Sequence, residues 1–306
     1  MKHDPVETTT RKTGQAAEYP SLSYDEREQR TAQALARIYQ PGRAVPSGTS
    51  SYLAWKIIEA KPSRMHAWHR LKDELSQVTP WTIDTVISSI LDATACWVVD
   101  LPASEKYHHR APFGLFDHGL EVCLGALLTH KRDFEWWRKR SDHSSFSFTT
   151  RLVTYLGVLH DIGKVFDVEV KAPRTGEVWD PLREPLAFFK LRHDMGLLDP
   201  TPHTYRPHRG VHGHEEKGRC LVPAIIHRSL KSPITPHVVS LYNFYTSRYD
   251  RPEPTVDTPE DRILQCVLEA DRDSACASSK GDFGGPDFLD ALSKRRVRPP
   301  RGTFKG

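Results

Sequence analysis

Four residues of this chain have types and spacing that suit a divalent metal ion: His118, the adjacent pair His160 and Asp161, and Asp271. An imidazole next to a carboxylate can hold one hard or borderline cation between them. His118 precedes the pair by about forty residues and Asp271 follows it by about a hundred, so the ligands come from separate segments. The order of these residues predicts a split metal site.

The chemistry of such a site points to phosphate esters. A divalent ion lowers the pKa of bound water and clamps phosphoryl oxygens, which suits hydrolysis or transesterification of phosphodiesters. Asp161 and Lys164 are therefore the candidate catalytic residues. Lys164 would neutralise a phosphate oxygen beside the metal, or it would only interact with the last carbonyl groups of a helix.

Helices are predicted over residues 115–129, 151–160 and 261–278, where apolar residues recur at helical spacing. His118 and Asp271 fall on the apolar faces of the first and third helices, and the His-Asp pair ends the second.

A lone buried carboxylate is costly unless it is paired, neutralised or bound to a cation. Asp271 is therefore expected to bind metal, or to form a structural ion pair in which Arg272 is a candidate partner.

Further elements are predicted in the rest of the chain. Helices are expected over 23–39 and 84–99, and Gly163 is placed to end the helix that carries His160. Residues 166–180 predict two short strands around a turn, a small β-hairpin inserted in a helical domain. The segment 199–213, which is rich in proline and histidine, is expected to be a loop.

Composition limits the class of protein. The 306 residues are 38% hydrophobic and 27% charged, which is ordinary for a soluble protein of one or two domains. Residues 1–20 contain no apolar signal segment, and no apolar run approaches the ~20 residues that span a bilayer. The five cysteines include no CxxC pair, which excludes a zinc ribbon and indicates reduced thiols. A cytoplasmic location is expected.

Charge and histidine are unevenly distributed. The net charge is +4, and residues 294–306 carry six basic residues and no acid. This tail would add salt-dependent affinity for phosphate backbones, or it would be a solubilising disordered end. Five of the sixteen histidines lie between His193 and His214, which indicates a metal or phosphate site.

The order His…His-Asp…Asp, with His-Asp-x-Gly-Lys at 160–164, resembles the HD superfamily of metal-dependent phosphohydrolases. The resemblance implies a mainly α fold, a helical bundle, whose doublet aspartate can bridge two ions. Members with this motif commonly add histidine ligands. His214 and His227 are the candidates for that role. The alternatives for the third-histidine position are His208, His212 and, less favourably, His237.

A second segment is similar to the TraI-like domain of MobH-type conjugative relaxases. Residues 101–122 contain Leu-Pro-Ala-Ser, a histidine pair, Gly-Leu and His-x-Leu-Glu-Val in the order typical of that family. Trp-x-Pro at 179–181 and Ala-Asp at 270–271 continue the similarity, which covers about residues 80–280. Arg110 stands where a third clustered histidine is sometimes seen. The family usually continues into a long C-terminal region that these 306 residues do not include.

Residues 1–22 lack periodicity and are expected to be a disordered N-terminus, followed by a domain over 23–280 and a basic flexible tail (281–306). The relaxase resemblance extends the prediction to function. It implies a relaxase-like protein that cleaves phosphodiesters during conjugative transfer of a mobile genetic element. One or two ions of Mn, Fe, Ni or Mg would serve as cofactor. Partners would be single-stranded or transfer-origin DNA and other conjugation proteins. The alternatives are an HD phosphohydrolase of nucleotides or cyclic dinucleotides, and a non-catalytic DNA-binding accessory protein.

The resemblance also suggests residues that would contact DNA. His108 and His109 would contact phosphates or a second metal, or they would fix the turn before the next helix. The attacking group would be a metal-activated water, or a tyrosine such as Tyr107 or Tyr155. The candidate phosphate contacts are Arg110, Lys164, Arg209, Arg295, Arg296 and Arg298.

Overall fold

A computed structural model describes residues 58–59, 61–76, 101–104, 109–111, 113–133, 143–171, 176, 178–179, 203–205, 214, 218–219, 222, 235–248 and 258–278. The helices are α1 (Pro62–Ser76), α2 (Gly114–Arg132), α3 (His143–Leu159), a 3-10 helix (Ile162–Asp167), α4 (Thr235–Arg248) and α5 (Pro259–Ser278). The strands are β1 (Val168–Lys171), β2 (Val178–Trp179) and β3 (His203–Tyr205). The described part is therefore mainly α, as predicted. The predictions for 1–22, 23–39, 84–99 and 281–306 lie outside the described residues.

Helix α2 is the centre of the described helices. Fifteen of its 19 residues are buried, because α5 covers one side of it and α3 another. Helix α1 also packs on α2, and α4 packs on α3. A helix enclosed on several sides can bury polar side chains only if they find partners, and His118 lies in this enclosed helix.

Ion pairs fix α2 against its neighbours at both ends. Arg64 of α1 forms a two-bond ion pair with Asp117, with Nη2 3.1 Å from Oδ2, and both side chains are buried. At the other end of α2, Arg262 of α5 contacts Asp133. Buried pairs of this kind fix geometry more reliably than they add stability. They therefore set the position of α2 relative to α1 and α5.

The start of α5 is encoded locally. Thr258 and Asp261 form reciprocal hydrogen bonds: the Asp261 backbone N–H donates to Thr258 Oγ1 over 3.1 Å, and the Thr258 N–H donates to Asp261 Oδ2 over 3.3 Å. This arrangement is a capping box, and Pro259 occupies the first helical position, where its missing N–H costs nothing. The predicted helix over 261–278 is confirmed, with its start two residues earlier.

The two other predicted helices are present, but their ends differ from the predicted ones. The helix predicted over 115–129 is confirmed as α2. Helix α3 begins at His143 rather than at residue 151, and within its added turns the Thr149 and Thr150 hydroxyl groups donate to the Phe146 carbonyl oxygen. The prediction that Gly163 ends this helix is wrong. The helix ends at Leu159, and Gly163 lies in the 3-10 helix without a positive φ.

The three strands form a small antiparallel sheet in the order β2-β1-β3. Strands β1 and β2 fall within 166–180, where two strands were predicted, and Val170 pairs with Trp179. Most of the turn between them lies outside the described residues. The loop predicted over 199–213 is wrong at 203–205, because β3 pairs with β1 and thereby gains backbone partners that its composition did not indicate.

The structure bears on two features predicted from composition, the membrane spans and the cysteines. Among the described helices, none combines the length and apolarity that a membrane span requires. Cys123 and Cys266 are buried free thiols, whereas Cys276 is free and exposed. Burial raises the pKa of the Cys123 and Cys266 thiols to about 12. These two cysteines are therefore core residues rather than nucleophiles.

The contact of α2 with α3 requires a glycine at 157. A Cβ built on Gly157 would lie 2.9 Å from Cys123 Cα, whereas one on Gly119 would lie 3.5 Å from the Val158 carbonyl oxygen. We expect Gly157→Ala to destabilise the fold by roughly 1–3 kcal/mol through overpacking. Gly119→Ala, the matched control, should be neutral or gain up to about 1 kcal/mol from helix propensity. Urea unfolding would measure both, and equal midpoints would contradict the close approach.

A buried histidine of α2 should make stability depend on pH. The Nε2 of His130 lies 3.1 Å from Thr150 Oγ1, and its ring stacks on Phe146. Burial lowers the pKa of His130 to about 3, below the value of about 6.5 in an unfolded chain. The unfolded state therefore takes up the proton first, so stability falls as the pH drops below 6.5 towards 3.

Because of this histidine, the free energy of unfolding should be about 2 kcal/mol lower at pH 5 than at pH 7. His130→Gln should remove that part of the pH dependence, measured by urea unfolding at both pH values. His66→Gln, which changes an exposed histidine of α1, should retain the wild-type dependence. A His130→Gln variant that is as acid-sensitive as wild type would show that His130 is not the source.

Candidate metal centre

The predicted split site comes together at one point. His118 comes from α2, His160 directly follows α3, Asp161 follows it in the same turn, and Asp271 comes from α5. The two Nε2 atoms of His118 and His160 are 3.2 Å apart. The Nε2 of His118 also lies 3.2 Å from Asp161 Oδ2 and 3.1 Å from Asp271 Oδ1. Four side chains from three segments therefore direct ligand atoms at each other.

The spacing of these atoms fits the coordination shell of one ion. With metal–ligand bonds of about 2.1 Å, neighbouring ligands lie about 3.0 Å apart at right angles and about 3.4 Å apart in a tetrahedron. Two further distances, from His160 Nε2 to Asp161 Oδ2 and to Asp271 Oδ1, are 3.5 and 3.8 Å. His118, His160 and Asp161 form a buried group that could hold a metal ion. Two nitrogen and two oxygen donors suit borderline transition ions.

Each imidazole is held at its other nitrogen. His160 Nδ1 donates to the Gly157 carbonyl oxygen, one turn back in the chain, over 2.8 Å. His118 Nδ1 lies 3.0 Å from Ser274 Oγ. A proton on Nδ1 leaves the Nε2 lone pair available to an ion. Both rings therefore present Nε2 to the same point.

Electrostatics at this point favour positive charge. Burial opposes protonation of His118, but hydrogen bonds with Asp161 and Asp271 outweigh it and raise the pKa of this imidazole to about 9. Burial would raise the pKa of Asp161, yet Lys164, His160 and His214 hold it well below its usual range. Burial is likewise outweighed at Asp271, whose pKa is lowered by its hydrogen bond with His118. Two ionised carboxylates thus require a proton or a cation between them.

His160 behaves differently from its neighbour. Burial is the largest influence on it and lowers its pKa, even though the carboxylates of Asp161 and Asp271 favour the charged form. A neutral imidazole is the form that ligates metal. His160 is therefore already in the state that a ligand requires.

The second oxygen of Asp161 faces a different group. His214 Nε2 lies 2.7 Å from Asp161 Oδ1, while Lys164 Nζ contacts Oδ2. On its other side His214 Nδ1 lies 4.0 Å from Asp167 Oδ2. Asp161 therefore has one oxygen towards the imidazole pair and the other towards His214. Sequence reasoning missed Asp167, which is buried at the end of the 3-10 helix.

Gly163 is required by the approach of His214. A Cβ on Gly163 would lie 1.9 Å from the His214 carbonyl oxygen, so no other residue type fits without movement of this backbone. Close by, a Cβ on Gly218 would collide with the Tyr242 hydroxyl, which donates to the His160 carbonyl oxygen over 3.2 Å. The glycine of His-Asp-x-Gly-Lys thus admits His214 to the site, rather than ending a helix.

A buried polar network behind His118 was not predicted. Ser274 Oγ lies 2.5 Å from Glu121 Oε2, and His109 Nε2 lies 3.1 Å from both of these atoms. We call Ser274, Glu121 and His109 the Ser274 network. The sequence contains one indication of this network. Glu121 and Ser274 each follow a predicted metal ligand by three residues, so they lie one helical turn away on the same face of the helix.

The position of His109 differs from the DNA or metal contact predicted for it. Its side chain is 2% exposed and faces Glu121. In the turn before α2 the Ala103 N–H donates to the backbone carbonyl oxygen of His109 over 3.0 Å, and the alternative role, that the histidine pair fixes this turn, stays a prediction. The Cβ of a side chain at Gly114 would collide with that same oxygen.

Three side chains at the edge of the cluster are partly exposed. The side chains of His118 and His160 are fully buried, whereas those of Lys164, His214 and Asp271 are 13%, 17% and 19% exposed. A substrate would reach the cluster past these three residues. Arg110 is exposed, so it remains available for the DNA contact predicted for it.

The remaining predicted residues are elsewhere. Tyr155 is fully buried in α3, and burial raises the pKa of its hydroxyl, so its position does not suit a nucleophile. His237 is exposed on α4 and contacts Phe148 edge to face, away from the cluster. Outside the described residues lie Tyr107, His108, His208, Arg209, His212, His227, Arg295, Arg296 and Arg298.

Comparison with known families identifies one match. The TraI_2 family, described as "Putative helicase", matches residues 58–215, which is just over half of the chain. The matched segment includes His118, His160, Asp161 and His214, and it ends before α5. Neither the curated proteins nor the solved structures contain a significant match.

The geometry predicts that the purified, chelator-stripped chain binds Mn²⁺, Fe²⁺ or Ni²⁺. At an ion concentration of 100 times Kd, binding would stabilise the fold by about 2.7 kcal/mol. Asp161→Asn removes an ionised ligand from the centre of the cluster and should weaken binding by more than about 100-fold. Isothermal titration and thermal unfolding with and without the ion would measure both effects.

Asp73→Asn, an exposed carboxylate on α1, is the matched control and should bind as wild type does. If the midpoint of wild type does not move with any of the three ions, the cluster is not a metal site.

Proposed function

The chain belongs to the TraI_2 family, and we propose that it is a metal-dependent DNA-processing enzyme that cleaves phosphodiester bonds in conjugative transfer of a mobile element. The observation that carries the proposal is the buried group of His118, His160 and Asp161, which could hold a metal ion. The resemblance of residues 101–122 to MobH-type relaxases supports DNA as the substrate, and the resemblance of 160–164 to HD phosphohydrolases supports metal-dependent phosphodiester cleavage.

In this proposal His118, His160, Asp161 and Asp271 hold one divalent ion. His214, on the other oxygen of Asp161, is placed to serve a second ion, and His227 would join it by resemblance. Ions bound there supply Lewis-acid activation of a phosphodiester. Mn, Fe, Ni and Mg are the candidates, since a mixed histidine and carboxylate set discriminates poorly among transition ions.

Lys164 would act on the substrate directly. Its ammonium group already contacts the Asp161 carboxylate and is partly exposed at the edge of the cluster. A phosphate oxygen that enters past His214 and Asp271 would meet this cation and gain a charge-assisted hydrogen bond. Lys164 would thereby position the scissile phosphate and neutralise its charge.

Contacts farther along the nucleic acid would be electrostatic. Arg110, Arg209 and the basic residues at 294–306 would bind phosphates without reading the sequence. The family description names a helicase. The single Gly-Lys pair of the sequence, Gly163-Lys164, is followed by Val165, and Gly157 lies six residues before Gly163, so the P-loop pattern is not met. The proposal therefore rests on the metal centre.

The proposed reaction can be tested with the metal-loaded full chain. Incubated with Mn²⁺ and a supercoiled plasmid that carries the transfer origin of its own element, wild type should produce open circles. Asp161→Asn should lose at least about 100-fold in rate, and Lys164→Gln should lose roughly 10- to 100-fold while it still binds metal. Lys72→Gln, on α1, is the charge-matched control and should cleave normally.

The products decide the attacking group. A free 5′-phosphate would indicate water, whereas DNA linked covalently to the chain would indicate a tyrosine. Intact plasmid together with rapid hydrolysis of nucleotides or cyclic dinucleotides would overturn DNA processing in favour of the phosphohydrolase alternative. DNA binding without cleavage of any of these substrates would leave the accessory-protein alternative.

A further inference from the structure

We propose that the Ser274 network positions His118 for metal binding, so that Ser274, Glu121 and His109 are positioning residues of the metal centre. The inference rests on the metal site of the proposed function. It assigns these three residues a role that neither the HD pattern nor the family match supplies, and Ser274 lies beyond the matched segment.

The direction of each hydrogen bond follows from the chemistry of the groups. A carboxylate oxygen only accepts, so the Ser274 hydroxyl donates its one proton to Glu121, 2.5 Å away. The oxygen of Ser274 is then left with lone pairs. The His118 Nδ1 at 3.0 Å and the His109 Nε2 at 3.1 Å must therefore be the donors.

This arrangement assigns the tautomer of His118. With its proton on Nδ1, a neutral His118 has its lone pair on Nε2, which faces His160, Asp161 and Asp271. The opposite tautomer would place an N–H on the ion side and set the lone pair of Nδ1 against the lone pairs of Ser274 Oγ. The network therefore favours the one form of the ring that can bind a metal.

Helix α5 holds the ring from both sides. Asp271 and Ser274 are one helical turn apart, and they contact opposite nitrogens of the same imidazole at 3.1 and 3.0 Å. A ring held at both nitrogens cannot rotate without breaking a contact to α5. Docking of α5 on α2 thus sets the orientation of His118 and the position of the Asp271 ligand together.

The Ser274 network is buried, and the need to fill space in the core does not explain why its residues are polar. The side chains of His109 and Glu121 are 2% exposed, and Ser274 is fully buried. Burying a carboxylate is costly unless it is paired and hydrogen-bonded. An apolar trio would fill this space at lower cost, so the polar groups have a use, and the predicted metal ligand that they contact is His118.

The test measures metal affinity rather than cleavage. Mn²⁺ would be titrated calorimetrically into the chelator-stripped full chain. We expect Ser274→Ala to weaken binding roughly 10- to 100-fold, as the loss of an outer hydrogen-bond partner typically does. Glu121→Gln, which keeps the size but not the charge, should weaken it less. Nitrogen-15 spectra of the chain loaded with diamagnetic Zn²⁺, which histidine and carboxylate ligands also bind, should contain a slowly exchanging His118 Nδ1 proton, which Ser274→Ala should lose.

The control removes a buried hydroxyl elsewhere. Thr154 of α3 donates to the Thr150 carbonyl oxygen within its own helix, and Thr154→Val should bind Mn²⁺ as wild type does. If Ser274→Ala and Glu121→Gln both bind within twofold of wild type, or if they lower only the unfolding midpoint of the metal-free chain, the positioning role is overturned. If Ser274→Ala does not fold, the Mn²⁺ affinity of Glu121→Gln alone tests the positioning role.

Failure of the proposed function would give a different result. A wild-type chain that binds Mn²⁺ but leaves DNA intact overturns DNA cleavage, whereas the ordering of affinities among the variants still supports the positioning role. A wild-type chain that binds none of the ions overturns both.

Discussion

The described structure depends on the need to compensate negative charge inside a helical core. Asp161 and Asp271 remain ionised although they are largely buried, because His118, Lys164 and His214 surround them with donors and positive charge. Ionised groups are retained in a protein interior only where partners are placed accurately. The three segments that supply these partners, α2, the turn after α3, and α5, must therefore dock in one register.

Small residues make that register possible. Gly157 lets α3 approach α2 at Cys123, which brings His160 within 3.2 Å of His118 at the end of the same contact. Gly163 gives the backbone of His214 a place beside the 3-10 helix. Neither glycine adopts a positive φ. Their value lies in the absence of a side chain, which is a constraint of packing rather than of backbone conformation.

Sequence reasoning succeeded where structure is determined locally. The apolar spacing of α2 and α5 located His118 and Asp271 on helices, although the capping box at Thr258 starts α5 two residues before the predicted start. It failed where partners are remote. Strand β3 is three residues long and exists through its pairing with β1. Ser274 meets Glu121 across 153 positions of sequence, and neither residue type indicates a special role by itself.

The residues of the metal cluster come from two parts of the chain. The segment that matches the family supplies His118, His160, Asp161 and His214, and α5, which lies beyond it, contributes Asp271 and Ser274. Both residues of α5 act on His118, one as a proposed ligand and one through its other nitrogen. Without α5 the cluster would lose a carboxylate, the group that orients an imidazole, and the helix that covers one side of α2. Helix α5 is thus the element that would convert a loose set of donors into a site of defined geometry.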